Sequence, residues 1–98
     1  MPFQIIIRDR AVDEMQETYN WYEMHVQGLG EKFLNVVHDY LDKIAENPNY
    51  FKNTYKEFRE VYIQKFPFLI VYFIDRKAKK IVIFSVFHTS RNPENKFL

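Results

Sequence analysis

The 98-residue sequence contains no cysteine. This absence excludes a disulfide framework and a thiolate metal site, and it fits the reducing environment of the cytoplasm. Glycine is scarce, and Gly28 and Gly30 alone cannot form a glycine-rich phosphate-binding loop. The three histidines have neither paired spacing nor thiolate neighbours, and no Ser/His/Asp signature is visible. The sequence therefore predicts no metal site and no cofactor.

Long hydrophobic runs are also lacking. The longest, residues 66–74, is far shorter than the roughly 20 apolar residues that span a bilayer. The first four residues lack the charged-then-apolar pattern of a signal peptide. An aromatic content of 18% supports a packed core. We expect a single domain over residues 1–98, located in the cytoplasm and without a membrane partner.

Each sign of charge is concentrated in one half of the chain. Residues 1–50 contain four Lys/Arg and nine Asp/Glu, a net charge of −5, whereas residues 51–98 contain ten and four, a net charge of +6. Two interpretations stay open. Either the charged residues lie on solvated faces and their segregation along the chain is incidental, or the second half presents a cationic surface to phosphate or to an acidic partner.

Three apolar, β-rich runs follow one another in the second half and predict three strands, at residues 59–66, 68–74 and 81–87. Pro67 separates the first two because it lacks a backbone donor, and a charged segment, residues 75–80, separates the others. Such short connections predict an antiparallel meander. Residues 3–8, short and β-branched, predict a further strand at the start of the chain.

Helical spacing of apolar residues predicts two helices before the meander, from about Arg10 to His25 and from Leu29 to Glu46. Asp9 is the predicted N-cap of the first helix, and Asn47-Pro48 ends the second. The order β-α-α-β-β-β defines an α+β domain, in which a helical hairpin packs on one face of a small, mainly antiparallel sheet.

The last two predicted strands are apolar on both faces, and a helical hairpin covers only one of them. Alternation groups Leu69, Val71 and Phe73 on one face of the second meander strand, and on the third it places Val82, Phe84 and Val86 opposite Ile81, Ile83 and Phe87. We therefore expect an exposed apolar face, shielded only by the connector after the second helix and by the C-terminal tail. Such a face usually marks a surface for another chain. Trp21 falls outside the apolar stripe of the first helix, so it either flanks the core or contacts a partner.

The meander ends in a polar segment, residues 88–93, which begins with His88 and contains Arg91. Arg59 opens the first meander strand, and we expect that end of the strand to lie near His88. RNA backbone cleavage needs proton transfer at the 2′-hydroxyl and at the leaving 5′-oxygen, together with cations that stabilise the phosphorane. A histidine with two arginines can supply this chemistry.

The sequence thus offers His88, Arg91 and Arg59 as catalytic candidates and Lys52, Lys56 and Lys65 as RNA- or phosphate-binding candidates. A structural interpretation of the same residues stays open. His88 could hydrogen-bond a backbone carbonyl, and Arg91 could pair with Asp75 or Glu94.

Taken together, these motifs resemble the RelE/ParE toxins of bacterial type II toxin–antitoxin systems. The resemblance covers nearly the whole chain, and its motifs are the early strand, Ala11 to Asp13, Trp21-Tyr22, residues 30–34, residues 44–48, Arg59, residues 66–72 and residues 88–93. It implies a compact toxin that a cognate antitoxin binds, often through an acidic, partly helical C-terminal segment. Members similar to RelE cleave mRNA in the ribosomal A site, and members similar to ParE inhibit DNA gyrase.

The resemblance also shows departures. Ribonuclease members usually have an arginine just before the Val-Tyr that matches Val71-Tyr72, and this chain has Leu69 or Ile70 there. The paired lysines of some members are absent from the first meander strand. This chain does keep a basic residue near its end, Arg91, and a histidine, His88, at the place where some family ribonucleases have theirs. We therefore expect a toxin that is either an mRNA endoribonuclease or a gyrase inhibitor without nuclease activity, with a non-toxic antitoxin-binding module as a third alternative.

Overall fold

A computed structural model of the chain describes residues 3–98. The elements in chain order are β1 (Gln4–Ile7), α1 (Asp9–His25), α2 (Leu29–Glu46), β2 (Asn53–Tyr55), β3 (Phe58–Tyr62), β4 (Phe68–Asp75), β5 (Lys80–His88) and a 3-10 helix (Pro93–Asn95). The predicted α+β architecture, a helical hairpin on a small sheet, is confirmed. The short strand β2 is an addition, since the sequence indicated only a connector there.

The strands form one mixed sheet in the order β1-β5-β4-β3-β2. β1 pairs with β5 in parallel, Gln4 opposite Lys80 and Ile7 opposite Ile83, and the other neighbours are antiparallel. A parallel pair cannot be joined by a tight turn. The chain between β1 and β5 is therefore long, and it includes the helical hairpin, which packs over one face of the sheet.

The helices bury the stripes that their spacing predicts. Ala11 and Met15 of α1 are buried, and the buried apolar residues of α2 are Phe33, Val37, Leu41 and Ile44. The prediction that Asp9 is the N-cap is wrong, because the extended residue before the helix is Arg8 and Asp9 is the first helical residue. Its carboxylate there still faces the positive end of the helix macrodipole.

The turn between the helices is held by one carboxylate. Glu23 accepts hydrogen bonds from the backbone N–H groups of Gly28 (3.1 Å), Gly30 (2.8 Å) and Glu31 (3.2 Å), which are otherwise unpaired donors at the start of α2. The hydrogen bond from Gly28, joined by the other two, lowers the pKa of Glu23 below its ordinary value. Gly30 lets the helices approach closely, because a Cβ there would lie 2.5 Å from the Tyr19 carbonyl oxygen.

A bulge in β5 changes which side chains reach the helices. The pairing of β4 with β5 shifts between Val71 and Tyr72, so Ser85 lies opposite Val71 and Ile83 opposite Tyr72. Beyond the bulge, Val86 belongs to the core under the helices and Phe87 to the other face. The sequence pattern, which assumed strict alternation, predicted the reverse for these two residues.

The expectation of an exposed apolar face is wrong. Its residues form a second buried cluster: Phe58, Leu69, Val71, Phe84 and Phe87. The C-terminal strap, which we define as residues 93–98, covers this cluster through Phe97, whose ring centroid is 4.9 Å from that of Phe58. The strap is fixed by a hydrogen bond from Arg10 Nη2 to the Asn95 carbonyl (2.8 Å) and by an ion pair between Lys96 and Glu60 (2.9 Å).

The helices of residues 3–98 are not suited to a bilayer, since none combines sufficient length with sufficient apolar character to cross it.

Candidate functional site

A groove of about 340 Å³ lies between α1 and the end of the sheet where β4 begins and β5 ends. Its walls are Glu14, Glu17, Thr18, Trp21 and Tyr22 of α1, Phe68 and Val86 of the sheet, and His88 and Arg91 of the polar segment. The structure thus brings two of the predicted site residues, His88 and Arg91, into one groove.

His88 is the last residue of β5 and pairs with Phe68 of β4. Its ring meets the Phe68 ring edge to face, with 4.8 Å between the ring centroids. The backbone N–H of Ser90 donates to His88 Nδ1 (3.0 Å), and the Ser90 hydroxyl lies 2.7 Å from the same nitrogen. Because Nδ1 accepts from a backbone N–H, the neutral ring carries its proton on Nε2.

Arg91 is held by Glu14. Its Nη1 lies 3.4 Å from Glu14 Oε2, and its guanidinium carbon lies 5.3 Å from the centroid of the Phe87 ring. The pairing with Asp75 or Glu94 that the sequence left open is replaced by this ion pair. Part of the cation's charge is therefore compensated within the chain.

Glu14 is a residue that sequence reasoning missed. Its Oε1 accepts from the Ser85 hydroxyl (2.8 Å) and from the Val86 N–H (3.0 Å), and its Oε2 lies 3.4 Å from Arg10 Nε. Both of its partners on β5 lie beyond Ile83, the last residue of β5 that β1 pairs with, so this edge of β5 is open to Glu14 of α1. A signal was present in the sequence: Glu14 lies between Ala11 and Met15 on the buried side of α1, where a carboxylate needs partners.

Arg59 does not lie near His88, so the prediction that it does is wrong. It pairs with Tyr72, four residues along β4 from Phe68, the partner of His88. Since β3 is antiparallel to β4, the start of β3 lies beside the end of β4. The Arg59 guanidinium donates instead to the carbonyls of Phe51 (2.6 Å) and Asn49 (3.3 Å), where it fixes the chain after α2.

The three candidate lysines are dispersed. Lys65 lies in the turn between β3 and β4, beside the polar segment, since the Thr89 N–H donates to the Pro67 carbonyl (2.9 Å). Lys52 and Lys56 flank β2 at the edge of the sheet and are exposed. Within the described part of the chain, no three His, Cys, Asp or Glu side chains are grouped so that they could hold a metal ion.

Trp21 forms the outer wall of the groove and is 57% exposed. Its ring stacks on His25, with 3.9 Å between centroids, and His25 Nδ1 lies 2.7 Å from the Trp21 carbonyl oxygen. This contact fixes the ring at the end of α1. An exposed tryptophan beside a groove is a typical anchor for a protein partner.

A helical hairpin on a five-stranded mixed sheet in this order is the fold of RelE/ParE toxins, as two solved structures show. One, "Chromosomal ParDE TA system from P. aeruginosa", is 12% identical and covers 90% of this chain and 97% of its own, with a TM-score of 0.78. The other, the isolated E. coli RelE toxin, is 13% identical and covers 96% of this chain and 92% of its own, with a TM-score of 0.68.

The family follows from the sequence itself. The model of the family described as "ParE toxin of type II toxin-antitoxin system, parDE" matches residues 5–93. The chain belongs to this family, and the resemblance drawn from its motifs is confirmed. A comparison with curated proteins gives no match.

Proposed function

We propose that this chain is neutralised by a cognate antitoxin and acts, when free, by binding a protein target, DNA gyrase, without cleaving RNA. Membership of the ParE toxin family supports the pairing with an antitoxin and makes gyrase the first target to test. The proposal that the activity is non-catalytic rests on one observation: the arginines expected to bind phosphate already bind other groups within the chain.

RNA cleavage needs cations that are free to meet the phosphorane. Arg59 is occupied by two backbone carbonyls, and Arg91 by the carboxylate of Glu14. The position where ribonuclease members carry an arginine is apolar here: Leu69 is buried in the second cluster and Ile70 in the first. The strap closes the face of the sheet on which Leu69 lies.

The groove offers features that suit a protein ligand. It combines the apolar surfaces of Trp21, Tyr22 and Phe68 with polar groups at its rim. Met24, one turn from Trp21 on α1, is 84% exposed and extends the apolar surface. A tryptophan anchor with an apolar centre and a polar rim is the usual composition of a protein interface.

The test is induced expression of the chain alone in a bacterial host, combined with primer extension on abundant mRNAs and an assay of DNA supercoiling by gyrase. We expect growth arrest, intact mRNA and inhibited supercoiling. Trp21→Ala should relieve the arrest, whereas Tyr62→Ala, which removes a comparably exposed ring outside the groove, should not. Cleaved mRNA with normal supercoiling would overturn the proposal.

A second candidate is a ribosome-dependent mRNA endoribonuclease, and one observation favours it: His88 and Arg91 share the groove. In that activity His88 donates or accepts the proton and Arg91 binds phosphate, while Lys65, in the turn beside the polar segment, contacts the RNA backbone. New mRNA 5′ ends inside codons, lost in His88→Ala and in Arg91→Ala, would establish it. Full toxicity of both variants would exclude it, and expression of folded chain without arrest would leave an antitoxin-binding module.

A further inference from the structure

The end of the sheet opposite the groove carries a concentration of positive charge. The turn between β4 and β5 contains Arg76, Lys77 and Lys79, and Lys80 begins β5. Because β3 runs antiparallel to β4, the turn between β2 and β3, which contains Lys56, lies at the same end. We call these five residues the cationic end.

The chain does not neutralise the cationic end. Among residues 3–98, no carboxylate oxygen lies within 4.0 Å of the charged nitrogens of these five side chains. Residues 56–57 and 75–80 contain two acids, Glu57 and Asp75, against five cations, which leaves a net charge of +3. One of these acids is engaged in the turn, since Asp75 Oδ1 accepts from the Ala78 N–H (3.1 Å).

The turn presents its charges on a fixed backbone. Asp75 and Lys80 form the last pair of the β4–β5 ladder, and Lys79 takes a left-handed conformation with φ of 53°. Arg76, Lys77 and Lys79 are all exposed. Cations held close together on an ordered turn form a local positive potential that attracts a polyanion.

An exposed aromatic ring follows directly after the residue to which Arg76 is bonded. Arg76 Nη2 donates to the side-chain oxygen of Asn49 (2.7 Å), and Tyr50 is the next residue along the chain. Tyr50 is 73% exposed, and its ring stands at 89° to that of Phe51, with 5.1 Å between centroids. Cations that follow phosphates, together with an aromatic ring on which a base stacks, are the combination that binds single-stranded nucleic acid.

We propose that the cationic end binds single-stranded nucleic acid, with phosphates on Lys77 and Lys79 and one base stacked on Tyr50. This site goes beyond the function proposed above, because it lies at the other end of the sheet from the groove. An acidic polypeptide would use the cations and have no need of the exposed ring, so the ring favours nucleic acid.

The first test measures fluorescence anisotropy of a labelled oligothymidylate of about 12 nucleotides with the purified full chain. The variant Lys77→Gln/Lys79→Asn removes two charges, and asparagine tolerates the positive φ at position 79. Lys32→Glu, at an exposed position of α2, changes the net charge equally and is the matched control. We expect the double variant to bind about tenfold more weakly with a shallower salt dependence, and the control to bind as the parent does.

The second test separates the two kinds of polyanion. Tyr50→Leu should weaken oligonucleotide binding several-fold and leave its salt dependence unchanged, since stacking releases no counterions. A polyglutamate peptide of the same charge should bind less tightly and should be insensitive to this substitution. The proposal is overturned if the parent does not bind the oligonucleotide at about 50 mM salt, if the double variant binds equally well, or if polyglutamate binds as tightly.

Discussion

At the scale of single residues, Glu14 connects α1 to the bulge in β5 and to Arg91. Replacing it by glutamine keeps the shape of the side chain but removes the charge and one of two acceptor oxygens. We expect Glu14→Gln to lower the free energy of unfolding by about 1–3 kcal/mol, because the Val86 N–H and the Ser85 hydroxyl lose a charged acceptor. Urea unfolding measures this loss. Asp13→Asn, at an exposed position of the same helix, should change stability by less than about 0.5 kcal/mol.

A second prediction at this scale concerns Tyr72. It is fully buried, and its hydroxyl donates to the Pro48 carbonyl (2.7 Å). Burial raises the pKa of Tyr72 to about 12, against a smaller opposing effect of the Arg59 cation.

The sign of the pH dependence follows from this shift. The unfolded chain loses the phenolic proton near pH 10 and the folded chain near 12, so the stabilisation is complete below the unfolded pKa and is lost as pH rises through the folded one. Between these two pKa values the free energy of unfolding of the parent should fall by up to about 1.4 kcal/mol per pH unit because of this group. Tyr72→Phe lacks the phenolic proton and should not show this part of the decrease. Equal slopes in denaturant titrations of both proteins would contradict the prediction.

At the scale of elements, the C-terminal strap decides whether the second face of the sheet is covered. Phe97 contacts Phe58 and stacks on Tyr55, with 4.6 Å between the last two centroids. We expect Phe97→Ala to cost about 2 kcal/mol and to increase the binding of a hydrophobic dye, because the apolar cluster beneath loses its cover. Leu98→Ala, at an 82% exposed position, should change neither. Unchanged dye binding in Phe97→Ala would show that the strap does not shield this face.

At the scale of the whole molecule, the helical hairpin and the sheet share one core. β1, from the start of the chain, pairs with β5, from its end, so neither half can complete its packing alone. We expect unfolding to be two-state, with superimposable transitions by far-ultraviolet circular dichroism, which follows the helices, and by near-ultraviolet signals of the buried aromatics. Separate transitions for helices and sheet would contradict this.

The accuracy of the sequence prediction differed between features for physical reasons. Helix α2 was predicted to its exact bounds, because its apolar residues repeat with helical period and Asn47-Pro48 ends it. β2 was missed, since three exposed residues carry no apolar pattern. Arg59 was misplaced although the predicted topology was right, because in an antiparallel meander the start of the first strand and the end of the third lie at opposite ends of the sheet. His88 and Arg91 are brought together by the short path between them.

The sequence by itself determined the α+β order, the two helices, the strands of the meander and the family, since these depend on local periodicity, turn residues and motif order. Only the tertiary structure decided the rest. The open edge of β5 at which Glu14 finds its partners, the contacts by which the strap covers the second face and the approach of Lys56 to the charged turn between β4 and β5 all depend on contacts between residues distant in the chain, which no local pattern encodes.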